Sequence, residues 1–233
     1  MYGYIGDNLK SVENEISAAC KKAGRSRDLV KLIVVTKTYS ADLAQAVINL
    51  GVENLGENRP QEIIEKMPML SGNFNMHLIG QLQSNKVRKM IGLAKYIHSV
   101  DKISLLEKID TIGEELGVLT NILVQVNTSG EESKSGCTID SAVALCELAA
   151  TKKYAKFCGL MTIGPLTENI GEIEKSFETL AKIGEKVNNL RENGKCELSM
   201  GMSGDFGLAI EYGATMIRVG TKIVGARYAR PIL

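Results

Sequence analysis

The chain has 233 residues, 44% of them hydrophobic and 24% charged, with 28 basic against 27 acidic side chains. That balance fits a globular protein with a sizeable core, and it excludes bulk electrostatic attraction to nucleic acid or an anionic membrane. Low aromatic content and the lack of Trp also leave few platforms for stacking bases.

The first segment spaces Ile5, Leu9, Val12, Ile16 and Ala19 by threes and fours, which predicts an amphipathic helix ending near Gly24. Short strand-like runs then alternate with helical patterns. "KLIVVT" is a strand, and "ADLAQAVINLG" a helix closed by Gly51. "VENLGEN" follows, with a helix from about Pro60. "MHLIG" is a strand, "SNKVRKMIG" a helix and "KYIHSV" a strand, with Asp101 placed to cap the next helix. That helix carries Ile103, Leu106, Ile109 and Leu116 in one stripe.

The second half repeats the alternation. "TNILVQVN" is the clearest strand, followed by the polar loop "TSGEESKSG" and a helix from about Ile139 to Ala150. "AKFCGLMTIG" holds a strand, and the longest helix aligns Ile173, Phe177, Leu180, Ile183 and Val187. "CELSMG", "SGDFGLAIEYG", "ATMIRVG" and "TKIVGARY" complete two further strand–helix pairs. With no linker or composition shift, residues 1–233 are expected to form one domain. Eight βα units in this length predict an α/β fold, a single (β/α)8 TIM barrel with an extra N-terminal helix. An open Rossmann sheet is disfavoured, because no G-x-G-x-x-G follows the first strand.

Cys20, Cys137, Cys146, Cys158 and Cys196 are odd in number and widely spaced, as reduced cytoplasmic thiols would be. His77 and His98 lack metal-ligand spacing, so no zinc site is expected. The N-terminus does not read as a signal peptide, and no apolar run approaches the roughly 20 residues that span a bilayer.

In such a barrel, function lies at the C-terminal ends of the strands, and phosphate is often held by the loops after strands seven and eight. "SMGMSGDFG" offers Gly201, Met202, Ser203 and Gly204 there, and "RVGTK" offers Gly220 and Thr221. Glycine lets backbone approach an anion, and Ser203 adds a hydroxyl; the plain alternative is a pair of tight βα turns. Lys37 ends strand one. A lysine in that position is commonly a solvated edge residue. The pleat, however, puts Ile33, Val35 and Lys37 on one face, so Lys37 can project into the barrel mouth. Partial desolvation there would favour a nucleophilic amine, suited to a Schiff base with a phosphorylated aldehyde.

Arg218 lies on the same face of strand eight as Gly220 and must donate hydrogen bonds. Its partner is either a carboxylate such as Glu57 or a ligand ring nitrogen, which would then stay unprotonated and be a weaker electron sink. Asn58 could bond a ring hydroxyl or cap the helix at Arg59 and Pro60. His77 reads as a buried, satisfied histidine, and Lys134 as a solvated charge or a second amine near the mouth.

"VVTKTYS", "GENRPQE", "HLIGQLQSNK", "VNTSGEESKSG", "GLMTIGP" and "SMGMSGDFGLAIEYGATMIRVGTKIVGAR" run in order from Leu32 to Arg227. Together they resemble the YggS/PROSC family of pyridoxal 5′-phosphate (PLP) homeostasis proteins. The resemblance implies a barrel like the N-terminal domain of bacterial alanine racemase, with PLP held as an aldimine on Lys37. It implies phosphate contacts from Ser203, Gly220 and Thr221, and Arg218 near the pyridine nitrogen. Departures are Gly204, Lys222 and Val224, where the family often has an acidic residue, a small residue and Phe; Lys222 would add positive charge beside the phosphate turn.

Racemisation needs proton transfer on both faces of a carbanion, and the resemblance to alanine racemase implies a second base from a separate domain. Tyr39 and Tyr228 are candidate stand-ins, but nothing in the sequence places either one. The expectation is therefore a PLP carrier or regulator with no dedicated turnover, acting as a monomer, with PLP-dependent apo-enzymes as possible recipients. The alternatives are a PLP-dependent amino-acid racemase and a sugar-phosphate aldolase or isomerase.

Overall fold

The computed structural model describes residues 2–131, 134–191 and 194–225. Eight parallel strands close into a barrel in chain order. They are β1 (Lys31–Val35), β2 (Asn54–Glu57), β3 (Asn75–Leu78), β4 (Tyr96–Val100), β5 (Thr120–Gln125), β6 (Ala155–Met161), β7 (Glu197–Met202) and β8 (Met216–Val219). The helices are α1 (Tyr4–Lys22), α2 (Ala41–Asn49), α3 (Pro60–Lys66), α4 (Val87–Met90), α5 (Ile103–Leu116), α6 (Ile139–Ala150), α7 (Ile170–Val187), α8 (Phe206–Glu211) and α9 (Thr221–Val224). The expected barrel and the extra N-terminal helix are both present.

The strands are nearly continuous in hydrophobic residues because both of their faces are covered. Leu32 and Val34 point outward into the layer between sheet and helices, while Ile33 joins Leu123, Cys158, Met161 and Met216 inside the barrel. The alternation read from "KLIVV" is thus the observed one. Helix α1 closes against the last unit, with Asn8 donating to Ile223 O at 3.0 Å and Tyr4 Oη donating to Val224 O at 3.1 Å.

Caps fix several helix starts. Ser40, Thr138 and Asn169 each accept a first-turn backbone N–H of α2, α6 and α7. Asp101 does not cap α5. The N-cap is Lys102, with no side-chain bond, and Asp101 Oδ1 is buried without a partner among the described residues. The helix expected over "SNKVRKMIG" shrinks to a 3-10 turn and the four residues of α4, because Ile91 turns extended directly after Met90.

Candidate functional site

The first strand ends one residue short of Thr36, so Lys37 stands in the turn beyond it and is half-buried. This turn is held from three sides. Thr36 Oγ1 donates to Glu57 Oε1 at 2.7 Å. Lys66 Nζ donates both to Thr36 O at 3.0 Å and to Glu57 Oε1 at 2.7 Å. Beyond Lys37, the Thr38 N–H donates to Glu62 Oε2 at 2.6 Å. Thr38 adopts φ +68°, a left-handed conformation that a β-branched residue accepts only at a cost. The clamp therefore over-determines the backbone on both sides of Lys37. Its centre is a buried ion pair, with Lys66 and Glu57 side chains 7% and 0% exposed. Burial raises the Glu57 carboxyl to about 7, and the bonds from Lys66 and Thr36 oppose that rise. Lys37 itself joins no ion pair among the described residues.

The two glycine-rich turns meet. Ser203 Oγ accepts a 3.3 Å hydrogen bond from the Gly220 N–H, linking the loop after β7 to the start of α9. Gly220 lies against β1: a Cβ there would sit 3.3 Å from Val35 O. Gly201 has φ +89°, and a Cβ would come within 2.6 Å of Ala209 Cβ, so that turn requires glycine. Asp205 Oδ1 accepts from the Met202 N–H at 2.5 Å, tightening the same loop. Lys37, Met202, Ser203, Arg218, Gly220 and Thr221 therefore occupy one arc of the mouth, from β7 through β8 to β1.

Asn58 lies apart, after β2. It lines a cavity of about 400 Å³ at the mouth with Gly80, Gln81, Gln125, Lys134 and Ile163. It does not cap α3, whose N-cap is Arg59 with no side-chain bond. Lys134 donates to Glu131 Oε1 at 2.6 Å and to Gly164 O at 3.0 Å, so it is tied down rather than freely solvated. Lys222 pairs with Glu15 and lies over the Phe206 ring, so its charge is partly neutralised, and it lines a cavity with Ser203 and Gly204. Tyr39 Oη donates to Gly225 O at 2.8 Å; Tyr228 and Arg227 lie outside the described residues.

Arg218 does not pair with Glu57, which faces outward to Lys66. Its guanidinium is inside the barrel, 4% exposed, donating to Ser199 Oγ at 2.6 Å and to Thr162 O at 2.8 Å. Burial lowers its pKa to about 10. Gln81 and Gln125 were not singled out by sequence; Gln81 Nε2 donates to Gln125 Oε1 at 2.8 Å across the mouth. A signal existed, because Gln125 interrupts an apolar strand at its C-terminal end as Lys37 follows one. Among the described residues, no group of three His, Cys, Asp or Glu could hold a metal, and no helix is long and apolar enough to cross a membrane.

The family model of the alanine racemase N-terminal domain matches residues 8–228. The pyridoxal phosphate homeostasis protein of Aquifex aeolicus is 35% identical over 222 residues, covering 95% of this chain and 97% of that protein. The one from Synechocystis is 40% identical over 200 residues, covering 85% and 92%. The chain belongs to the pyridoxal phosphate homeostasis protein family. Among solved structures, PipY of Synechococcus elongatus, with PLP bound, is 32% identical and matches with a TM-score of 0.82, covering 95% of this chain and 100% of PipY. Alanine racemase of Clostridium difficile shares the fold, with a TM-score of 0.74 at 16% identity, and the chain spans 58% of its length.

The homeostasis-protein barrel seen here buries two histidines, with consequences for pH. Burial, then Lys31, lowers the His77 pKa to about 3, and burial, then His77, Arg218 and Lys31, pushes His98 well below the usual range. Unfolded histidine takes up a proton from about pH 6.5 downward, whereas the folded pair resists it. Their contribution is therefore complete above about pH 6.5 and is lost as pH falls, by about 2 kcal/mol at pH 5 for His77, with His98 acting in the same direction. Glu57 works in the opposite sense, because the folded carboxyl holds its proton up to about 7. Two imidazoles outweigh one carboxyl, so the urea midpoint is expected to be lower at pH 5 than at pH 7.5. An equal or higher midpoint at pH 5 would contradict neutral buried histidines.

Proposed function

We propose that the protein binds and buffers PLP, holding it covalently and reversibly on Lys37 without dedicated catalytic turnover. When bound, PLP supplies an aldehyde that reacts reversibly with a primary amine. The observation that carries this reading is the Ser203–Gly220 bond, which fastens two anion-suited turns beside the clamped Lys37 turn. In this reading Ser203, Gly220 and Thr221, with the Met202 turn, hold the phosphate. Lys37 supplies the amine, and Asn58 bonds the ring hydroxyl from the neighbouring strand. Arg218 donates to the ring nitrogen. A donor there keeps that nitrogen unprotonated and limits carbanion stabilisation, which suits storage rather than turnover.

Further support comes from the relatives, which are named for pyridoxal phosphate homeostasis, and from PipY, whose structure contains PLP. A racemase reading is not favoured, since alanine racemase shares the fold at only 16% identity. The Tyr39 hydroxyl, one stand-in for a second base, is already bonded to Gly225 O. Reversible attachment gives a route for release onto PLP-dependent apo-enzymes in the cytoplasm, with the barrel acting as a monomer.

The phosphate turns make a specific demand. Charge-assisted bonds contribute about 1.5–3 kcal/mol each, so pyridoxal, which lacks the phosphate, is expected to bind at least about a hundredfold more weakly than PLP. Parallel absorbance titrations read the ratio. Equal affinity for the two vitamers would remove the phosphate role of Ser203, Gly220 and Thr221.

A further inference from the structure

Five strands contribute a continuous polar chain through the barrel interior. Arg218 on β8 donates to Ser199 Oγ on β7 at 2.6 Å. Ser199 Oγ lies 3.0 Å from His98 Nδ1 on β4, and His98 Nε2 lies 2.9 Å from His77 Nδ1 on β3. His77 Nε2 is 3.1 Å from Asn54 Oδ1 at the start of β2, and that oxygen also accepts from Asn75 Nδ2 at 3.3 Å. Ser199, His98 and His77 are fully buried.

The direction of every bond follows from the arginine. A guanidinium only donates, so Ser199 Oγ must accept from it. Among the described residues the serine proton then has one acceptor, His98 Nδ1, and leaving a buried hydroxyl proton unplaced is costly. A neutral His98 accepting at Nδ1 carries its proton on Nε2 and donates to His77 Nδ1. His77 in turn carries its proton on Nε2 and donates to the amide oxygen of Asn54. The lowered proton affinity of both imidazoles agrees with neutral rings, as does the presence of Lys31 and Arg218, but no carboxylate, among the charges acting on His98. Tyr96 stacks on His77 with centroids 4.6 Å apart and planes within 2°, fixing the ring that ends the relay.

We propose that Ser199, His98 and His77 are positioning residues: a one-way hydrogen-bond chain, with both imidazoles locked as neutral Nε2–H tautomers, that orients Arg218 beneath the barrel mouth. Two acceptors on adjoining strands, Ser199 Oγ and Thr162 O, fix the plane of the guanidinium. The rest of its five N–H groups are thereby left for a ligand. The chain cannot be reversed while Arg218 heads it, so the donor character offered at the mouth is set by residues as far away as the base of β2. The ligand half of this inference rests on the PLP reading above.

The chain contains only two histidines, so nitrogen-15 NMR of the imidazoles in the unliganded protein tests the geometry with little ambiguity. Both rings are expected as neutral Nε2–H tautomers at pH 7. An Nδ1–H tautomer or an imidazolium at either ring would overturn the chain. For the ligand half, PLP is the probe. Ser199→Ala is expected to weaken PLP binding about tenfold, the loss of one positioning bond, and to shift the visible absorption band, with Ser199→Thr restoring both. A band and affinity unchanged in Ser199→Ala would overturn the positioning role. Wild-type protein that binds no PLP would instead fell the PLP reading, with the imidazole spectrum still deciding the chain.

Discussion

Lys37→Ala is expected to abolish the imine absorbance of PLP-loaded protein completely, while leaving the fold intact. Lys37 is half-buried in a turn, makes no ion pair among the described residues, and its backbone is held by neighbours rather than by its own side chain. Removing the amine therefore removes the covalent hold and little of the scaffold. The phosphate turns remain, because Ser203 and Gly220 bond each other independently of Lys37. Residual non-covalent PLP binding should thus persist, weaker and without the imine band. Circular dichroism and absorbance on the same sample separate the two effects. An undiminished band in the variant would mean that another amine, such as Lys134 in the lining of the mouth cavity, holds the aldehyde.

Lys66→Ala is expected to have the largest effect on stability, about 3–5 kcal/mol, because it leaves the buried Glu57 carboxyl without its ion-pair partner in the layer between barrel and helices. Glu57 is fully buried, and among the described residues Lys66 is its only charge partner and Oε2 has no hydrogen-bond partner. The substitution also frees Thr36 O, so the turn carrying Lys37 loses one of its three anchors. Thr38 then has less to hold it at φ +68°. PLP attachment should fall along with stability. A double variant, Lys66→Met with Glu57→Gln, removes the unpaired carboxyl and is expected to recover most of the stability but not the attachment. Urea denaturation read beside PLP absorbance distinguishes these outcomes. A loss below about 1 kcal/mol for the single variant would show that the pair contributes as little as an exposed one.

These two residues also mark what the amino-acid order alone could convey. The two faces of β1 were legible because strand alternation has a period of two, but β1 stops at Val35 and leaves Lys37 in the turn beyond, where the alternation no longer applies. The turns after β7 and β8 were legible because glycine at Gly201 and Gly220 answers a local steric demand. Lys66 was not, since a lysine in the last turn of a helix reads as a solvated, dipole-favoured charge; only the packing of α3 over β2 turns it inward. Arg218 was read correctly as facing inward and donating, but its partners come from β7 and from Thr162 just beyond β6, and no local pattern specifies barrel register. The same holds for the His77–His98–Ser199 chain, which needs three strands aligned at one level. For Asn58 the sequence left open a ring-hydroxyl bond and a cap, and the extended backbone at Arg59 moves the cap one residue on. Asp101 fails likewise, displaced by Lys102 at the start of α5.

The most direct test of Lys37 as the anchor is borohydride reduction of the PLP-loaded protein followed by peptide mass mapping. Reduction makes the attachment permanent, so the modified lysine can be identified in the wild-type chain. A phosphopyridoxyl group on Lys37 alone is the predicted result; its appearance on Lys134 or another lysine, with Lys37 unmodified, would contradict it.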